Sequence, residues 1–503
     1  MVAELRTFSV DGVEVRHLPS DDEVCAVQLV FGAGTRDEQL HEQGVLQALE
    51  HVVMRELRLT PLEINAHVDH SHTEFVVAGD PVLVAGYLVR LCQGLNAPPV
   101  DRLSAEAPII AAELGQDEGA HQPLLVRRYG LRDLGNQAVP GPGPDGLQAH
   151  QLVAAAARWF TAGNAFLLVD GPLPPDLALP LREGGRPTHV RVPPRPVAEP
   201  SAVRVDGPAC MASLLLPPTD PAHLSEVAVE LVDQRIQETV RHRDSLSYVV
   251  EVNVFDNVVH ADGPDGHDLF VMADPPEEHL VRAVTVLVGE LRALLRGGPS
   301  AAELSLAVER VVQRRYGRDG LVGAAHTTGI DALLGFARPP FDAEVTRTLT
   351  VEQVSAYLQP LETSLLVAVP DLPEIDLVTL GLREDHSAPT NNDPLPDGRR
   401  FRPPLFARAI SSAARQAELR LTAEGLHCRL EGETKVIDWT NVVGVLVEDD
   451  HEAAVFAADG THIQIGGAVW RDGDTLIREA RAHVPPHLFY RASTLLHIHD
   501  DDH

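Results

Sequence analysis

A Pro-rich passage from Arg186 to Pro200 constrains the fold more than any other feature, because neither a helix interior nor a central strand tolerates such a run. It reads as an extended linker, and the same kind of pattern runs on either side of it. Before it, Leu5–Val10, Val13–His17 (after the turn Asp11-Gly12), Glu23–Val30, Asn65–Val77 and Ala165–Val169 predict strands. Helices are predicted around Gly44–Met54 and over 81–95, 101–118 and 147–160. Pro140–Pro144 reads as a loop, and Glu113–Glu118 as an acidic cluster. After the linker come strand patterns at 209–216, 247–257, 268–272 and 364–369, with helix patterns at 226–241, 277–295 and 301–315. The shared order predicts a duplicated unit, although residue-level identity between the halves is faint.

A second linker rich in Pro, Asn and Asp spans 385–404, and the character then changes. Short alternating runs at 418–421, 426–430, 442–446, 453–456 and 462–465 precede one helical stretch, Asp474–His483. The expected class is α+β. Residues 1–185 and 206–384 would form two α/β domains, with 186–205 and 385–404 as linkers. Residues 405–490 would form a small β-rich domain with one C-terminal helix, and 491–503 an acidic, His-bearing tail without fixed structure. A chain of 503 residues suits about three domains.

The charge narrows the partners. With 41 basic and 73 acidic side chains the net charge is −32, a field that repels phosphate backbones and anionic lipid. No apolar run approaches the ~20 residues that cross a bilayer. Met1–Arg6 lacks the basic-then-apolar plan of a secretion signal. Cys25, Cys92, Cys210 and Cys428 are scattered, with no thiolate metal spacing. A cytoplasmic protein that binds neither nucleic acid nor membrane is the expectation.

Chemistry concentrates in Gly44-Val-Leu-Gln47-Ala-Leu-Glu50-His51-Val-Val-Met54. Apolar residues at mixed three- and four-residue spacing predict a helix, which places Gln47, Glu50 and His51 on one face. An inverted zinc-peptidase motif, His-x-x-Glu-His, wants two imidazoles one turn apart with a carboxylate as general base. Here the first imidazole is an amide. His67, His70 and His72 lie downstream, either as replacement ligands or as surface residues of an edge strand.

Gly32–Glu38, then Gly44-x-x-Gln-x-Leu-Glu-His, Asn65-Ala66 and Glu106-x6-Glu113 together resemble the insulinase and mitochondrial processing peptidase family, whose zinc helix reads Gly-x-x-His-x-Leu-Glu-His. The resemblance implies two homologous α/β-sandwich domains forming half of a clamshell. It implies Glu50 as base, His51 and Glu113 as zinc ligands with Gln47 as a weak third, and Glu106 as a helix companion. The short interval from His51 to Glu113 implies a trimmed segment near 55–64. It also implies that the Asn65–Ala66 edge pairs with a substrate peptide as an added strand. Arg241-His-Arg-Asp-Ser-Leu-Ser-Tyr248 resembles the family's Arg-x-x-x-Gly-Leu-x-Tyr element, in which a cation and a phenol hold the substrate and face a developing oxyanion; Ser245 stands at the glycine. Read without that resemblance, Arg241 caps a helix and Tyr248 packs in a sheet. Leu419-x-Leu-x-x-x-Gly425-Leu and Ile437-Asp-Trp439-x-x-Val442 resemble bacterial pleckstrin-homology-like modules, which implies an interaction role.

The expected function is a non-catalytic or weakly catalytic subunit of a heterodimeric zinc peptidase. It would contribute substrate binding and Arg241/Tyr248 to a homologous partner with an intact zinc motif. An active endopeptidase using Gln47 and a peptide-binding scaffold are the alternatives. The expected cofactor is zinc, held weakly or not at all.

Overall fold

Alternating apolar residues in the strands of each half present one face to a layer of helices and the other to a helix borrowed from the opposite half. The computed structural model describes residues 4–114, 122–217, 223–260, 263–336, 340–386, 388–391, 393–430, 432–449 and 451–493. The fold is α+β, and the described residues build four sheets.

The first sheet contains β1 (Arg6–Val10), β2 (Val13–Leu18), β3 (Cys25–Phe31), β4 (Glu63–Val68), β5 (Thr73–Gly79) and β6 (Ala165–Asp170), in the order β1-β2-β6-β3-β5-β4. The second contains β7 (Ser201–Val205), β8 (Met211–Leu216), β9 (Val249–His260), β10 (Gly263–Asp274), β11 (Leu366–Pro370) and β12 (Arg383–Asp385), in the order β12-β7-β11-β8-β10-β9. Five strands correspond in order and direction. β2 runs parallel to β6 as β7 does to β11, and the remaining neighbours are antiparallel in both sheets. The sixth differs: β1 forms a hairpin with β2, whereas β12 adds parallel to β7.

On one face of the first sheet lie α1 (Val45–Leu57), α2 (Pro81–Asn96), α3 (Leu103–Leu114) and α5 (Ala149–Trp159), packed through Leu46, Leu49, Leu88, Leu152 and the inner residues Val27, Leu29, Phe75 and Val77. Between α3 and α5 comes α4 (Gln122–Tyr129), which packs instead beneath the second sheet against Met211, Phe270, Leu366 and Ala368. The second sheet has its own layer, α6 (His223–Ile236), α7 (Leu280–Gly297), α8 (Ala301–Arg314) and α10 (Val351–Leu361). Its α9 (Gly317–Leu334) crosses back beneath the first sheet, onto Leu18, Val30, Phe166 and Leu168. Gly329 meets the Phe166 ring so closely that a Cβ would collide with it. The halves thus exchange helices.

The Pro-rich passage is extended, as its composition implies, but it is strapped down. Asp37 receives hydrogen bonds from His189 and Arg191 at 2.8 Å each, and the backbone N–H of Val192 donates to Asp133 at 2.8 Å. Its continuation to 205, expected to be linker, forms β7, a strand inside the second sheet. The second expected linker likewise contains β13 (Arg399–Phe401). Asn65–Val77 is a hairpin rather than one strand, with a turn closed by Asp69 N–H to His72 O at 2.8 Å. Within Pro140–Pro144, Gly143 begins a short helical turn.

β13 begins a third sheet whose order continues β14 (Glu418–Leu421), β15 (Gly425–Leu430), β16 (Glu433–Asp438), each strand antiparallel to the next. A second small sheet has the order β19 (His462–Gly466), β18 (Glu452–Ala457), β17 (Val442–Val447), β20 (Phe489–Tyr490). Both share one core with α11 (Asp474–His483). The helix runs where its periodicity places it, but it is not the module's sole helix: two short ones, Leu405–Ile410 and Ser412–Gln416, precede β14. The module docks on the first half through Leu40, Leu131, Phe456 and Tyr490, whose hydroxyl donates to Pro140 O at 3.1 Å. The expected unstructured tail from 494, and the acidic cluster from 115, lie outside the described residues.

Candidate functional site

The loop Gly34–Glu38 fixes where α1 begins. Arg36 is buried against Asp133 at 2.6 Å. The Glu38 carboxylate accepts the N–H groups of Gly44 (2.8 Å) and Leu46 (2.9 Å), two donors that a helix start leaves unpaired. Burial pushes the Glu38 carboxyl up to about 7. Gly44 takes φ +85°, a conformation that favours glycine. Val45, Leu46, Leu49, Val52 and Val53 then enter the core, which leaves Gln47, Glu50 and His51 along α3.

His51 Nε2 donates to Glu113 Oε2 at 2.9 Å, lies 3.6 Å from Glu50 Oε2, and its Nδ1 is 3.9 Å from Glu106 Oε2. Arg55 pairs with Glu106, about two turns before Glu113 on α3. Helical spacing therefore brought together His51, Glu50, Glu106 and Glu113. Glu50 is only 8 % exposed. Burial pushes its carboxyl up to about 7, with His51 drawing it down and Glu113 and Glu106 pushing it further up. Gln47 is half-buried on the same face and makes no side-chain hydrogen bond among the described residues.

A catalytic zinc centre uses three nitrogen, sulfur or carboxylate ligands plus an open position. His51, Glu113 and Gln47 supply one imidazole, one carboxylate and a neutral amide. They do not fit such a centre. Nor do the downstream histidines repair it. His67 pairs across the hairpin with Glu74, and strand alternation puts Glu74 on the face opposite Phe75, away from α1. His70 turns to the ring of Phe255 at 4.6 Å between centroids and to Thr35 Oγ1 at 3.3 Å. His70 and His72 thus share the hairpin turn rather than a strand face, and His72 is buried rather than at the surface.

Asn65 and Ala66 lie on β4, the edge of the first sheet, as the peptide-pairing expectation requires. The Ala66 N–H donates to Asn65 Oδ1 at 2.9 Å, so the asparagine occupies a donor that a pairing strand would otherwise use. Arg241 and Tyr248 flank a tight corner. α6 passes into a π-helical turn, Gln237–Arg243, and Ser245 follows at φ +52°, the left-handed conformation that the glycine of the resembled motif adopts without strain. Leu246 is buried beneath this corner, while Tyr248 is 82 % exposed with the Arg241 guanidinium 4.9 Å from its ring centroid. Packing in the sheet does not explain such a tyrosine. Neither residue hydrogen-bonds to α1 or α3 among the described residues.

Glu74 and His326 were missed from the sequence. Glu74 sits inside a strand pattern and His326 on α9, whose Gly content hides its helical character.

No protein-family model matches the sequence, and no curated protein matches it. Solved structures do match. The first half of the periplasmic protease PqqL from Escherichia coli is 17 % identical with a TM-score of 0.54, covering 75 % of this chain and 95 % of that one. A peptidase M16 inactive domain from Pseudomonas fluorescens is 18 % identical with a TM-score of 0.51, covering 73 % and 98 %. A protease from Helicobacter pylori is 12 % identical with a TM-score of 0.58, covering 73 % and 99 %. At such identities the likeness concerns architecture: about three quarters of this chain has the fold of these protease structures, one of them a peptidase M16 inactive domain.

Proposed function

We propose that the chain is a peptide-holding, non-catalytic or weakly catalytic subunit of a peptidase, acting with a homologous partner that carries an intact zinc motif. The observation that carries this reading is the donor set: Gln47 replaces the first imidazole and His51 is engaged by Glu113, while the β4 edge, with one donor taken by Asn65, and the exposed Arg241–Tyr248 pair are kept. Backbone pairing to an extended peptide needs an edge strand and no metal. A cation stacked on a phenol can hold a peptide carbonyl or steady an oxyanion formed on a partner's site. The likeness of the C-terminal module to pleckstrin-homology-like domains belongs to the same proposal; its docking on the first half makes it an internal brace.

The test is cleavage of an unstructured peptide by the full chain, alone and with a candidate partner, with and without added zinc. The chain alone is expected to bind but not cut. Activity with the partner is expected to fall on Arg241→Ala here. Cleavage by the chain alone that disappears in Glu50→Gln would overturn the reading in favour of an active enzyme using Gln47. Gln47→His is expected to create metal binding at His51.

A further inference from the structure

We propose that His67, His72, Glu74 and His326 form a divalent transition-metal site of the zinc class, joining the edge hairpin of the first sheet to helix α9 of the opposite half. The topology converges on it from three directions. His67 lies on β4 directly across from Glu74 on β5, so both side chains leave the sheet on one face. His72 precedes Glu74 by two residues at the mouth of the hairpin. His326 comes down from α9, with Nε2 2.6 Å from Glu74 Oε2.

The donor atoms of His67, His72 and Glu74 all lie within 4.8 Å of one another. Ring centroids are 5.9 Å apart for His67 and His72 and 5.6 Å for His72 and His326. Tetrahedral zinc with nitrogen and oxygen ligands at ~2.0–2.1 Å needs donors about 3.3 Å apart. The donors of His67, His72 and Glu74 would have to draw together to meet that spacing when an ion binds. His72 and Glu74 are buried, His326 is half-buried and His67 is exposed, which leaves an entry path for an ion.

Three imidazoles around one carboxylate are a ligand set that suits zinc and its neighbours. An ion pair alone would account for His326 and Glu74 but leaves His72, 4.0 Å from the same oxygen, and His67 beside it without a role. Among the described residues this is the only three-donor grouping of His, Cys, Asp and Glu within such distances. The site is distinct from the His51 group, because the sheet lies between them. An acidic chain of net charge −32 draws cations toward it. Holding residues 67–74 to 326, a bound ion would staple the two halves.

The full chain, stripped with a chelator and dialysed, is titrated with Co2+ as a spectroscopic probe and then with Zn2+. One equivalent is expected, with the ligand-field bands of a four-coordinate Co2+ ion that Zn2+ bleaches. His67 is exposed, so His67→Gln is expected to leave the fold intact; it and His326→Gln are each expected to weaken binding by at least about 100-fold. Zn2+ is expected to raise the melting temperature of the parent chain and not that of His326→Gln. His51→Ala is expected to leave the titration unchanged. Failure of the stripped chain to take up either ion, undiminished binding in His67→Gln and His326→Gln, or loss of the ion in His51→Ala would each overturn the assignment. The last outcome would also place the metal at α1 and reopen the question of catalysis there, whereas the first two leave the peptide-holding reading untouched.

Discussion

Glu74 and Asp268 occupy the same place in the two large sheets. Each faces the penultimate residue of its neighbouring strand, Val30 of β3 or Leu215 of β8, and each meets a helix borrowed from the other half. Beneath the second sheet, Asp268 accepts from Tyr129 (2.8 Å) and Ser213 (2.7 Å), and Arg128 donates to Ser213 at 3.1 Å. That carboxylate is fully buried, and burial pushes it up to about 6. Its hydrogen-bond partners there are the hydroxyl groups of Tyr129 and Ser213. Beneath the first sheet the phenol is replaced by imidazoles. Burial pushes Glu74 up, but the hydrogen bond and charge of His326, with His67 and His72, outweigh it and hold the carboxyl below its ordinary range. The lesson is that one slot in a duplicated fold becomes a finished polar network or a ligand set according to what the visiting helix carries.

The contrast can be broken most forcefully at Asp268. Asp268→Ala leaves Tyr129, Ser213 and the Arg128 charge buried without their acid, and is expected to cost about 3–5 kcal/mol in chemical denaturation. A loss under about 1 kcal/mol would show that the second network is dispensable and the comparison empty. Next in size is a pH effect. Because the folded state raises the Asp268 carboxyl from its ordinary 3.8 to about 6, the folded chain binds the proton more tightly than the unfolded one. This contribution therefore stabilises at low pH and is lost as pH rises from about 4 to about 6, by roughly 2–3 kcal/mol. Denaturation midpoints across that window should show the fall in the parent chain and a flatter profile in Asp268→Asn. Tyr129→Phe is expected to cost about 1–2 kcal/mol, the same with and without zinc. His326→Gln, its counterpart, is expected to cost about 1 kcal/mol or less in stripped protein. In zinc the gap to the parent chain should widen; equal losses in both conditions would erase the distinction between the two slots.

Local features were legible in the sequence. The spacing of Gln47, Glu50 and His51 placed them on one helix face, and the distant Glu113 and Glu106 did arrive beside them. α11 and most strands fall close to where their periodicity puts them. What the sequence hid was relational. The strap at 186–200 has the composition of a free linker, yet His189 and Arg191 are held by Asp37, a partnership that composition cannot encode. α9 is buried against the opposite half and punctuated by glycines, so it lacks the amphipathic stripe of a helix with one wet face. The hairpin at 69–72 escaped because the polar run Asp69–Glu74 contains no Gly or Pro to mark a turn. Without α9 and that turn, the convergence of His326 on Glu74 could not be foreseen.

The exchanged helices also set a timetable for synthesis. The under-face of the first sheet, with Leu18, Val30, Phe166 and Leu168, is complete in sequence by residue 170, but its cover ends at Leu334. While the intervening chain is being made, an apolar sheet surface waits bare, the state in which nascent chains associate wrongly. A ribosome pausing between these two points would therefore endanger this protein far more than one pausing after residue 334.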